Sequence, residues 1–285
     1  MSFSLSSATG VRSLSSWPEA ARAAPVWYSD AVPTRPASLL NDPIPAGEVL
    51  GASDMGVIAF GDSITNGGGE LQWGVALQSW AMWMARALGV PYSPYAVDGA
   101  TVDDVVGHQI PLFTRLVADH YSRYGVGCLY VGTNDVRVPE FDAERFEVSL
   151  DRAFKSLAAR CDHLLTATIP IDMGRPRQPD RVALANRAIR HAASDHAALV
   201  LDLDYFGGRQ WMMADHVHPT ALGQVEIAER ALDLLATVGL EARIRPTELI
   251  SYETTHWNRL RGDLTYAYRH LKQDLRLYIE SHRGR

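Results

Sequence analysis

Gly56-Val57-Ile58-Ala59-Phe60-Gly61-Asp62-Ser63 is the stretch whose reading decides the fold. Five residues, four of them apolar, run without a polar break and end at a glycine. That is the pattern of a parallel strand buried on both faces that runs straight into a tight turn. Working outward, four more short apolar runs follow at 92–97 (broken by Pro94), 126–131, 163–169 and 198–203. Between them the spacing changes to the helical period. At 70–88, Trp73, Leu77, Trp80, Met84 and Leu88 recur every three or four residues. Helices are also expected at 101–120, 142–160, 179–197 and 220–239. Strands alternating with helices predict an α/β fold, a doubly wound sheet of five parallel strands. Right-handed crossovers bring all strand C-terminal ends to one edge. Ser63, Gly99 and Asn134 each directly follow a strand, so they meet on the rim where open α/β sheets bind ligands.

Composition narrows the classes of function. The chain of 285 residues is 47% hydrophobic, enough for a sizeable core, and carries a net charge of −6 with a pI near 5.9. That balance argues against a nucleic-acid partner, which calls for a basic excess. Two cysteines, Cys128 and Cys161, make no disulfide framework, and Cys128 sits inside an apolar strand as a small core residue. Residues 1–10 are Ser-rich, no apolar stretch of signal-peptide length follows, and no run approaches a membrane span. A cytoplasmic protein is the expectation. Residues 1–54, rich in Ser, Ala and Pro, read as an irregular arm, with Ser16 capping a short helix at Trp17-Pro18-Glu19.

Three strings carry the chemistry: Gly61-Asp62-Ser63, Gly132-Thr133-Asn134-Asp135 and Asp215-His216-Val217-His218-Pro219. They supply a serine hydroxyl, a side-chain amide, and a carboxylate three residues from an imidazole. A serine is a poor nucleophile until a base removes its proton. His218 is the candidate base and Asp215 the acid that fixes its tautomer. His216 is expected to point elsewhere. The Asn134 amide and the backbone N–H groups of Ser63 and Gly99 are candidate donors to an oxyanion. The glycine run at Gly67-Gly68-Gly69 lets a substrate come close to the backbone. Asp62 is read as a brace for the turn and Asp135 as a cap for the loop before the next helix. No His/Asp spacing supports a metal site. The tryptophans of the first helix are read as core, with Trp73 also placed to touch substrate. The segments 136–142 and 170–180 are expected to shape the pocket, and Arg175, Arg177 and Arg181 would suit a polar or anionic ester.

These blocks, with Thr101 two residues after Gly99 and with His218-Pro219-Thr220-Ala221-Leu222-Gly223 closing the series, resemble the four signature blocks of the SGNH (GDSL-type) hydrolases over residues 55–239. One departure is Asp98 before Gly99, where the family often has small or polar residues. The resemblance implies a flavodoxin-like three-layer α/β/α fold and no cofactor. It also implies a catalytic triad of Ser63, His218 and Asp215 with an oxyanion hole of Ser63, Gly99 and Asn134. A hydrolase domain at 55–244 would then cleave a small-molecule ester through an acyl-enzyme, as an esterase, deacetylase or lipase-like enzyme. A thioesterase, or an acyltransferase with an acceptor other than water, would use the same triad.

The tail, 245–285, lies beyond the resemblance. Trp257, Leu260, Leu264, Tyr268, Leu271, Leu275 and Tyr278 are spaced 3, 4, 4, 3, 4 and 3. One long amphipathic helix over about 247–282 follows. Its stripe has three candidate partners: its own domain, a second copy in a homodimer, or an acidic membrane surface.

Overall fold

The computed structural model describes residues 56–69, 75–117, 123–174, 177–250 and 256–283. The arm at 1–54, the start of the expected helix at 70–74, which includes Trp73, and Arg175 fall outside them. Five parallel strands form one sheet: β1 (Val57–Gly61), β2 (Tyr92–Pro94), β3 (Tyr124–Tyr130), β4 (Cys161–Ala167) and β5 (Leu199–Leu201). Their order is β2-β1-β3-β4-β5. Val57 pairs with Tyr92 on one side and with Val126 on the other.

Two apolar clusters, one on each face of the sheet, make three layers. Val57, Ala59, Val126, Cys128 and Tyr130 pack with α1 (Trp80–Leu88) and α6 (Ala221–Ala236). Ile58, Phe60, Leu129 and Leu164 pack on the opposite face with α3 (Ile110–Val117), α4 (Ala143–Ala158) and α5 (Pro179–Asp195). The alternation is the strand period of two. The chain steps from β1 outward to β2, then reverses to β3. With one crossover hand, that reversal puts the intervening helices on opposite faces and opens a crevice at the reversal point.

Several boundaries differ from the sequence reading. α1 begins at Trp80, and 75–79 are not helical, because Ser79 caps the helix by accepting from the Ala81 N–H at 3.2 Å. Leu77 still packs against the core, so its spacing reports burial without helicity. The expected helix at 101–120 is a composite: α2 (Val102–Asp104), a π-helical turn (Val105–Gln109) and α3. In the tail, residues 246–249 form a 3₁₀ turn instead of helix, and α7 runs His256–Arg283. The Thr247 N–H and hydroxyl both donate to Glu229 Oε1, at 2.9 and 2.8 Å, which pins the turn to α6. No helix among the described residues is long and apolar enough to cross a membrane.

Candidate active site

β1 delivers its turn to the crevice. Gly61 stands at φ +142°, and a Cβ there would lie 2.0 Å from the Tyr130 carbonyl oxygen. No L side chain fits where β1 and β3 approach this closely. Gln109, at the end of the π-helical turn, grips the same residue: its Oε1 accepts from the Gly61 N–H at 3.0 Å and its Nε2 donates to the Gly61 carbonyl at 2.8 Å. Asp62 follows, fully buried, and accepts from the Ile64 N–H at 2.9 Å. It braces the turn, as the sequence suggested. Burial pushes its carboxyl up to about 7.

Ser63, half-buried, lies next in the turn. Its Oγ is 2.8 Å from His218 Nε2, and His218 Nδ1 is 2.8 Å from Asp215 Oδ2. The acid also organises its own loop. Asp215 Oδ1 accepts from the N–H groups of Val217 at 2.9 Å and His218 at 3.1 Å. Burial acts to raise the Asp215 pKa, but the His218 ring hydrogen bond, those two N–H groups and the imidazolium charge together hold it below the usual range. His218 is shifted the other way. Its bond to Asp215 raises it, against burial, with further help from the charges of Asp215, Asp62 and Asp98. Directly after His218-Pro219, Thr220 caps α6 by accepting from the Gly223 N–H at 3.0 Å, so the imidazole is carried on a fixed helix start. His216 has φ +56° and lies beside His270 of α7, ring centroids 6.0 Å apart and the rings tilted by 44°.

The glycine run closes over this pair. A Cβ on Gly68 would come within 2.7 Å of the Ser63 carbonyl oxygen and 3.1 Å of His218 Cδ2. The three post-strand loops are tied together by side chains: Asn66 Nδ2 donates to Asp98 Oδ1 at 2.8 Å, and Asn134 Nδ2 donates to the Ala100 carbonyl at 3.0 Å. Gly99 turns at φ +78° with open space where a Cβ would stand. Asp135 departs from its expected role. Its side chain reaches out of the loop it was expected to cap: Oδ1 accepts from the Val102 N–H at 3.0 Å, at the first residue of α2, whose N-cap is Thr101. Burial pushes Asp135 up to about 6.

Two further buried amides escaped the sequence reading. Gln224 Oε1 accepts from the Trp80 N–H at 2.8 Å, while its Nε2 donates to the carbonyls of Ile64 at 2.9 Å and Gly68 at 3.1 Å. Asn186 clamps Ile169 through both backbone groups, at 2.8 and 2.7 Å. Each interrupts the apolar face of its helix, and that interruption was the available signal. Arg181 does not present itself to an anion. It donates to the carbonyls of Val138 at 2.6 Å and Pro139 at 2.9 Å, and Arg177 pairs with Asp172 at 3.0 Å. A cavity of about 290 Å³, lined by residues that include Thr101, Asp135, Phe141 and Arg145, neighbours the Asn134 loop.

The fold is similar to that of several solved structures. One is a member of the lipolytic protein G-D-S-L family from Veillonella parvula DSM 2008, at 23% identity, covering 63% of this chain and 97% of that one, with a TM-score of 0.50. Another is a lipase/acylhydrolase from Enterococcus faecalis, at 19% identity over 64% and 95%, with a TM-score of 0.50. TesA is a third, at 19% identity over 64% and 98%, with a TM-score of 0.51. No curated protein matches the chain by sequence. The model of the GDSL-like lipase/acylhydrolase family matches residues 59–225, a stretch that runs from β1 into α6 and takes in every loop of the crevice. With more than half of its length so matched, the chain belongs to the GDSL-like lipase/acylhydrolase family.

Proposed function

We propose that this chain hydrolyses a carboxylic ester through an acyl-enzyme on Ser63. Membership of a lipase/acylhydrolase family supports ester hydrolysis as the class of reaction. The finer reading is carried by one observation: the relay from Ser63 Oγ through His218 to Asp215, with both hydrogen bonds at 2.8 Å. In it His218 Nδ1–H donates to Asp215, which leaves the Nε2 lone pair facing the serine. As Ser63 Oγ attacks the ester carbonyl carbon, its proton passes to Nε2. The imidazolium that forms is stabilised by the carboxylate and then gives the proton to the leaving alkoxide. Water repeats the sequence on the acyl-enzyme, with the same imidazole as base.

The carbonyl oxygen becomes an oxyanion at the tetrahedral stage. Ser63 N–H, Gly99 N–H and the Asn134 amide are its proposed donors. An amide carries two N–H bonds, so the one held by the Ala100 carbonyl orients the group and the other serves the oxyanion. The open space above Gly99 suits the approach of an acyl group. Hydrolysis of chromogenic esters of graded acyl length, with added alcohol and thiol acceptors, tests the reading. Acceptor-independent release of carboxylic acid supports it. Product formed only with an acceptor would make the protein an acyltransferase.

A further inference from the structure

We propose that the outward face of α7 is the seam of a homodimer, formed by pairing with α7 of a second copy. The inner face of the helix is already used. Asp263 pairs with Arg209, the Arg209 guanidinium lies over the Tyr266 ring at 5.4 Å, and His270 lies beside His216. Asp263, Tyr266 and His270, spaced three and four, are the half-buried positions among the described side chains of the helix. The other face is apolar and exposed. Trp257 is 71% exposed, Leu264 64%, Tyr268 66%, Leu271 69%, Leu275 58% and Tyr278 61%. A patch of this extent marks an interaction site.

The pattern selects the occupant. Trp257, Leu264, Leu271 and Tyr278 recur every seven residues, with Tyr268 and Leu275 completing the seam between them. From Trp257 to Tyr278 the seven stripe residues cover 21 positions in six steps, a mean of 3.5. That is the period of a helix wound on another helix, with a narrow stripe, whereas a lipid surface asks for a broad apolar arc. Charge opposes the pairing and makes it salt-dependent. Residues 256–285 hold seven basic and three acidic side chains, net +4, so two such helices repel, the apolar seam must supply the association, and the dimer tightens as salt screens the repulsion. The area suffices. At roughly 150–250 Å² per aromatic side chain, the three aromatics of each stripe supply most of the ~1,000 Å² that a specific interface needs, and the leucines supply the rest.

Light scattering and sedimentation on the full chain at micromolar concentration test the proposal, beside a Leu264→Glu, Leu271→Glu variant. The expected result is a dimer that the substitutions convert to a folded monomer, with dissociation raised more than about 100-fold. Should that variant fail to fold, a chain ending at His270 keeps the inner-face contacts and loses half the seam, and it must also be monomeric. A monomeric full chain overturns the proposal. So does a dimer that persists in a folded seam variant or in the shortened chain. A monomer that co-sediments with phosphatidylglycerol vesicles assigns the stripe to lipid instead.

Discussion

The crevice rim and the tail helix are built on opposite principles. At the rim, a strand end and the irregular backbone beyond the strands are held by buried amides. Gln109 grips Gly61, Gln224 joins the Gly68 loop to α1, and Asn186 grips Ile169. An irregular segment can be buried only if each backbone donor and acceptor finds a partner, and these side chains provide them. In α7 the backbone satisfies itself, and the side chains are the open question: a few polar and aromatic contacts on one face, large apolar groups exposed on the other. The rim is specified internally and is suited to holding reacting atoms still. The tail, under the dimer proposed above, is specified by a second copy of itself.

Substitutions can break this contrast, beginning with the largest effect. His218→Ala should cost about 10⁴-fold or more in kcat, since neither proton transfer has another base, while His216→Ala should stay within a few-fold of wild type. Steady-state kinetics on one ester ranks the two, and the reverse order would remove His218 from its proposed role. Asn134→Ala should lower kcat by about 10²–10³ with little change in KM, because the amide meets the oxyanion better than the ground-state carbonyl. A loss confined to KM would make it a substrate-binding residue.

Stability effects are smaller in rate terms and sharpen the account of the rim. Gln224→Leu removes the partner of the Trp80 N–H and the Gln224 bonds to the Ile64 and Gly68 carbonyls, of which Ile64 keeps the Gly67 N–H, so urea unfolding should show a loss of about 2–5 kcal/mol. A loss under 1 kcal/mol would mean that water replaces the clamp. Asp62 tests burial against charge. Its carboxyl is raised to about 7 in the fold, so ionisation opposes folding increasingly between the unfolded value near 3.8 and pH 7. Asp62→Asn should therefore stabilise the protein above neutral pH, by about 4 kcal/mol at most, and not below pH 4.

The pH profile follows from His218. Its pKa is raised above 6.5, so the base form appears, and activity rises, as pH climbs through a value above that of free imidazole. The ion pair's stabilisation runs in the other sense. The His218 part is complete below about 6.5 and is lost as pH rises through the folded value, while the Asp215 part is lost only as pH falls through its own lowered value. Asp62→Asn should move the activity limb slightly downward, because one of the charges that favour the imidazolium is gone. An unmoved limb would separate Asp62 from the base electrostatically.

Much of the fold was legible because parallel strands buried on both faces leave continuous apolar runs, as at 56–60 and 126–131. Boundaries were less so. Leu77 continues the helical spacing, yet Ser79 starts the helix, and the Glu229 bonds that hold Thr247 out of α7 join residues 18 apart. In the candidate site, the residues proposed to carry the chemistry sit in short local strings, and the structure brings Ser63, His218 and Asp215 within hydrogen-bond distance. The residues that hold those strings in place were not legible locally. Gln109 reaches Gly61 across 48 residues and Gln224 reaches Gly68 across 156, and no local pattern encodes such a pairing. Asp135 was misassigned for the same reason, since its partner Val102 is 33 residues away.

The most direct test of the central claim is to trap the acyl group. The protein is mixed with an activated ester, quenched in acid within a turnover, digested and mapped by mass spectrometry. The account predicts the acyl mass on the peptide that carries Ser63, its loss in a Ser63→Ala protein with an unchanged circular dichroism spectrum, and loss of hydrolysis with it. A folded Ser63→Ala protein that still hydrolyses the ester near the wild-type rate, or an acyl group on another residue, would contradict it.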